Sequence, residues 1–83
     1  MSGAEPLRQR ALVVVPSKAE RERACRELVT SGYDTVGFSD CANASAWLEE
    51  ETPVVAIVVA DASRDCQAFL GELRERGTEI EQR

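Results

Sequence analysis

The chain has 83 residues, 43% apolar and 30% charged, and carries a net charge of −5 at neutral pH. That length allows one domain, burying only about 60 to 65% of its unfolded surface, so stability is expected to be marginal unless a partner adds buried area. Residues 31–83 hold four arginines against eleven acids, a balance that repels phosphate backbones and excludes nucleic acid as the expected partner.

Residues 1–10 have no apolar period and are expected to form a loose, flexible leader. Ala11 to Val15 is a short apolar strand, ended by Pro16, which has no N–H to continue a ladder. Ser17 and Glu20 then form an S-x-x-E capping box ahead of Ala24, Cys25, Leu28 and Val29, the apolar stripe of a first helix. Its other face carries Lys18, Arg21, Glu22, Arg23 and Arg26, a solvated face or a docking face for an acidic partner. Gly32 can take the left-handed conformation that ends this helix.

A second strand is predicted at Thr35 to Phe38, short enough for a sheet edge. Ser39 and Asp40 offer an N-cap for a helix running to about Glu51, with Cys41, Ala44 and Leu48 as its buried stripe. Trp47 falls one step off that stripe, at the rim of the core or on a contact surface. Thr52 and Pro53 break the helix before Val54 to Ala60, an uninterrupted apolar run that reads as a strand buried on both faces. Asp61 to Asp65 form a polar turn, Asp65 is expected to cap a third helix, and Cys66, Phe69, Leu70 and Leu73 supply its inner face. Gly77 ends that helix, and Thr78 to Arg83 is a polar tail whose one apolar residue, Ile80, is not expected to make a core strand.

The predicted fold class is α/β, in the order β-α-β-α-β-α over residues 11–77, with right-handed crossovers and a short parallel sheet ordered second, first, third strand. Its third strand would lie at an open edge, which invites another chain to pair there. A homodimer completed through the third strand and third helix is therefore expected, with Val55, Ile57, Val59, Phe69, Leu73 and Trp47 as interface candidates.

Cys25, Cys41 and Cys66 are odd in number, and without histidine a zinc site would need three thiolates and a carboxylate, an uncommon set. They are expected as buried core thiols in a reducing cytoplasm, against a redox or metal role. Met1 to Arg10 lacks the apolar stretch of a signal peptide, and a seven-residue apolar run is too short to span a bilayer. A soluble, cytoplasmic protein with no membrane partner is expected. Asp61 and Asp65 flank the loop where α/β sheets bind ligands, either as a carboxylate pair or as an ordinary turn acid and helix cap.

Ala-Leu-Val-Val-Val at 11–15, Gly-Tyr-Asp-Thr-Val at 32–36, Pro53 with the strand after it, and Phe-Leu-Gly-Glu-Leu-Arg at 69–74 together resemble the first half of a receiver domain, the phosphoacceptor module of two-component response regulators. The resemblance spans residues 11–77 and implies half of a flavodoxin-like fold. It also implies chemistry: an acidic pair after the first strand holding Mg²⁺, and an Asp at the end of the third strand taking the phosphoryl group. The acidic-pair positions here fall at Val15, Pro16 and Ser17, and the phosphoacceptor position falls at Val59. Asp61, two residues later, is the weak phosphoacceptor candidate. The resemblance thus implies a degenerate receiver with no enzyme activity, no catalytic residues, no metal and no cofactor, serving bacterial signalling through contact with itself and an unidentified protein. The alternative is a shortened piece of a larger response regulator whose missing strands come from a partner or from sequence beyond Arg83.

Overall fold

The computed structural model describes residues 9–59 and 61–83. Seven elements follow one another: β1 (Arg10–Val14), α1 (Lys18–Thr30), β2 (Asp34–Phe38), α2 (Cys41–Leu48), β3 (Val55–Val58), α3 (Arg64–Glu75) and β4 (Glu79–Gln82). The four strands form one parallel sheet in the order β2-β1-β3-β4. The class is α/β. Of the leader, residues 1–8 lie outside the described residues, as does Ala60, the last residue of the apolar run. Arg10, expected in the leader, pairs instead with Asp34 in the sheet and adds a salt bridge to its carboxylate at 2.8 Å.

Alternation across the sheet sorts the apolar residues into two cores. Ala11, Val13 and Val15 of the first strand segment face Ala24 and Leu28 of α1, with Ile57 beside them. Leu12, Val14, Ala56 and Val58 face the opposite way, onto Cys41, Ala44 and Leu48 of α2 and Phe69, Leu70 and Leu73 of α3. One helix therefore covers one face and two cover the other. Because β1 and β3 are clad on both sides, apolar residues at odd and even positions alike are buried there.

Several boundaries depart from expectation for local reasons. Val29, placed in the inner stripe of α1, is 51% exposed, because the face buried against the sheet narrows to Ala24 and Leu28. Helix α2 stops at Leu48, well short of Glu51, since Glu49–Glu51 carry no apolar residue to dock. Helix α3 is capped by Ser63, whose Oγ accepts from the Cys66 N–H at 3.2 Å, and not by Asp65, which lies in the first turn. Gly32 and Gly77 end α1 and α3 with φ of +96° and +80°, where a side chain would be strained.

The largest correction concerns the third strand. Within Thr78 to Arg83, Glu79–Gln82 does form a strand in the sheet: β4 pairs with β3 in register Val55↔Glu79 through Val58↔Gln82. One apolar residue suffices because β4 is an edge strand, with Ile80 packed on the α2–α3 core and Glu79 and Glu81 directed to the other face. Acidic side chains on an edge also discourage further pairing. The edge of β3 is thus occupied within the chain and is not open for a second copy to pair with.

Candidate functional site

The carboxyl ends of parallel strands, where α/β sheets usually bind ligands, converge here on a cleft of about 220 Å³ bordered by Val14, Pro16, Val59 and the first turns of α2 and α3. Asp40, Cys41, Asp61, Ser63, Asp65 and Cys66 line it. Both helices begin there because each has a capping side chain ahead of its first apolar residue. Asp40 accepts from the Asn43 N–H at 2.8 Å, and Ser63 caps α3.

The acids at this end are occupied locally. Asp40 also accepts from the Asn43 side-chain amide at 3.0 Å. Asp61 accepts from the Ser63 N–H at 2.9 Å in an Asx turn. Hydrogen bonds from Ser63 hold the Asp61 carboxyl below its ordinary range, although it is fully exposed. A carboxylate so engaged serves the turn that starts α3. Among the described residues no group of three His, Cys, Asp or Glu side chains is placed to hold a metal ion.

At the position where the resemblance puts an acidic pair there is a cation. Arg21 of α1 donates from Nη1 to the carbonyl oxygens of Val15 at 2.8 Å and Pro16 at 3.3 Å. A guanidinium satisfying the carbonyls of this turn opposes binding of a second cation there. Val59 follows directly after β3 and is half-buried, an apolar side chain at the implied phosphoacceptor position.

The cysteines differ from expectation. Cys41 and Cys66 are bonded to each other, with Cα atoms 5.3 Å apart across 25 residues of sequence. Nothing in their spacing announces a pair, and the sequence reads them as separate buried thiols. The pairing arises because each occupies the first turn of its helix and the two helices start side by side. Cys25 is the free cysteine, on the α1 side of the sheet. Burial pushes its thiol above the ordinary range, with Arg21 working in the opposite direction and Glu22 adding to the rise.

The expected interface candidates scatter. Phe69 and Leu73 are consumed by the chain's own core, at 1% and 0% exposure, and Ile57 is also buried. Trp47 is half-buried at the rim, its ring 6.5 Å from that of Phe38. Val55 and Val59 are half-buried on the α1 face of β3. That face is unevenly covered among the described residues: α1 packs chiefly against β1 and β2 and reaches β3 at the buried Ile57, leaving Val55 and Val59 partly exposed. There Arg83 instead reaches across to Glu27 of α1 with two hydrogen bonds of 3.0 and 3.1 Å, and also pairs with Glu81.

No protein-family model, curated protein or solved structure matches the chain. No helix among the described residues is long and apolar enough to cross a membrane.

Proposed function

We propose that the chain is a receiver-like protein-interaction module of bacterial signalling, cytoplasmic and independent of phosphorylation, that works as a homodimer. The observation that carries this reading is the uneven cover of the sheet. Val55 and Val59 lie half-exposed at the margin of the α1 core, on the side to which Glu79 and Glu81 of the neighbouring β4 also point. The exposed side of α1 presents Val29 with Arg23 and Arg26. Two-fold docking of two copies would set Val29, Arg23 and Arg26 of each over Val55, Val59, Glu79 and Glu81 of the other, an isologous contact with matched charge. This replaces pairing through the β3 edge. The non-catalytic half of the reading is supported by Arg21 at the β1–α1 turn and by Val59 at the end of β3.

The alternative, a shortened regulator whose remaining elements come from a partner or from further sequence, is supported by the same partly exposed Val55 and Val59. It differs in which chain provides the cover. Light scattering on a sizing column across a dilution series separates the two. A dimer is expected, converted to monomer by Val29→Glu, whose site is exposed and whose change leaves the fold intact. A native chain that is monomeric throughout overturns the homodimer and favours the alternative. Incubation with acetyl phosphate and Mg²⁺ is expected to leave the mass unchanged. Gain of a phosphoryl group that is lost in Asp61→Asn overturns the non-catalytic reading.

A further inference from the structure

The three cysteines are divided by the sheet: Cys25 belongs to the α1 core, whereas Cys41 and Cys66 belong to the α2–α3 core and are bonded to each other. Cys41 is the first helical residue after the cap Asp40, and Cys66 sits three residues after the cap Ser63. The positive end of a helix dipole stabilises a thiolate, so whichever sulfur is expelled when the bond is attacked leaves at a helix start that favours it. Both cysteines border the cleft at the carboxyl ends of the strands, which gives a small thiol a route to a bond that is otherwise buried.

The bond also joins the least supported helix to the rest. Helix α2 has eight residues and packs chiefly on α3, with less contact to β2. Such an element is a candidate for local opening without loss of the sheet.

We propose that Cys41–Cys66 is a reversible thiol–disulfide exchange site whose co-reactant is an uncharged dithiol, and that its reduction releases α2 from α3. A thiolate of the dithiol attacks one sulfur and the Cys41–Cys66 bond breaks, the departing cysteine leaving with the electron pair and taking a proton from water. The second thiol of the reductant then displaces the remaining cysteine from the mixed disulfide. Two cysteine thiols and one oxidised, cyclic reductant result, with two electrons and two protons passed to the protein. Asp40, Asp61 and Asp65 border the same cleft, which disfavours a reductant that carries negative charge beyond its attacking thiolate and selects one that is otherwise uncharged. The proposal is independent of the interaction reading above.

The test uses the whole chain and dithiothreitol without denaturant, followed by quenching, unfolding and alkylation with N-ethylmaleimide. The untreated chain is expected to take one adduct, at Cys25, and the reduced chain three. Reduction is expected to proceed faster than global unfolding and to change the emission of Trp47, the chain's one tryptophan, which lies on α2. Amide exchange in α2 should rise by about tenfold or more while β1 and β3 keep their protection. At low salt, 2-mercaptoethanol should open the bond faster than the anionic 2-mercaptoethanesulfonate. Three adducts without reductant, reduction only at the rate of global unfolding, or unchanged exchange in α2 overturns the proposal, and equal rates for the two monothiols overturn its preference for a neutral reductant. Cys41→Ser should reproduce the α2 exchange of the reduced chain. If that variant does not fold, reductant titration of the native chain decides alone.

Discussion

The hydroxyl of Thr78 donates to the carbonyl oxygen of Pro53 at 2.7 Å, a buried hydrogen bond joining segments 25 residues apart. Around it, the Thr78 N–H donates to Leu73 at 3.0 Å and the Glu79 N–H to Val54 at 3.0 Å. Together these bonds turn the end of α3 into β4 beside β3. Thr78 is the buried polar side chain among the described residues, and it holds in place the strand that closes the β3 edge.

Thr78→Val keeps the shape of the side chain and removes the donor. Losing one partner of a buried hydrogen bond costs about 1 to 3 kcal/mol, so urea unfolding should show a loss in that range. Thr78→Ser, which keeps the hydroxyl, should lose less. Equal stabilities of the valine variant and the native chain would mean that this bond does not hold β4.

Glu27 and Arg83 make the second tie of β4, this time to α1. Hydrogen bonding from Arg83 holds the Glu27 carboxyl below its ordinary range, with the nearby charges of Arg83 and Arg23 acting in the same direction. A carboxyl depressed in the folded state contributes stability that is present above its unfolded pKa and lost as pH falls through the folded one. The Glu27–Arg83 link should therefore weaken in acid, below the usual glutamate range. In carboxyl-detected NMR titration Glu27 should titrate lower than in the Arg83→Ala variant, where it should return to the ordinary range. Because the pair is exposed, added salt should diminish the difference.

The parts of this fold most legible in the sequence are those set by local chemistry. Ser17, Asp40 and the glycines at 32 and 77 mark helix ends through capping and left-handed φ, and the run at 54–60 signals a strand clad on both faces. What escaped depends on neighbours distant in sequence. Glu79–Gln82 reads as polar tail, because an edge strand draws its stability from backbone pairing to β3 and needs only Ile80 inside. The Cys41–Cys66 bond and the reach of Arg21 to Val15 arise where strand ends bring helix starts and turns together, a relation without a spacing signature. The capping signals of Asp40 and Ser63, by locating both helix starts, are the sequence features that could have placed the two cysteines side by side.

The Cys41–Cys66 bond closes a loop whose ends are 25 residues apart. Restricting the unfolded chain over a loop of that size stabilises the fold by about 3.5 kcal/mol on the chain-entropy account. Urea unfolding of oxidised and fully reduced chains should differ by roughly that amount, a large share for a domain of this size. A difference near zero would mean that the bond does not stabilise the fold through the unfolded chain as this account requires.

Gly37 and Cys25 meet where β2 passes beneath α1. A Cβ built at Gly37 would lie 3.1 Å from the Cys25 sulfur and 3.3 Å from Cγ of Arg21. Both contacts are tight, and Arg21 is not free to yield, because its guanidinium is engaged by the Val15 and Pro16 carbonyls. Gly37→Ala should therefore push α1 outward or break the Arg21 bonds, costing about 1 to 3 kcal/mol as overpacking does. Removing the sulfur should relieve the crowding, so Gly37→Ala combined with Cys25→Ala is expected to be more stable than the sum of the two single changes predicts. A double-mutant cycle in urea measures this directly, and additive effects would place Cys25 and Gly37 out of contact.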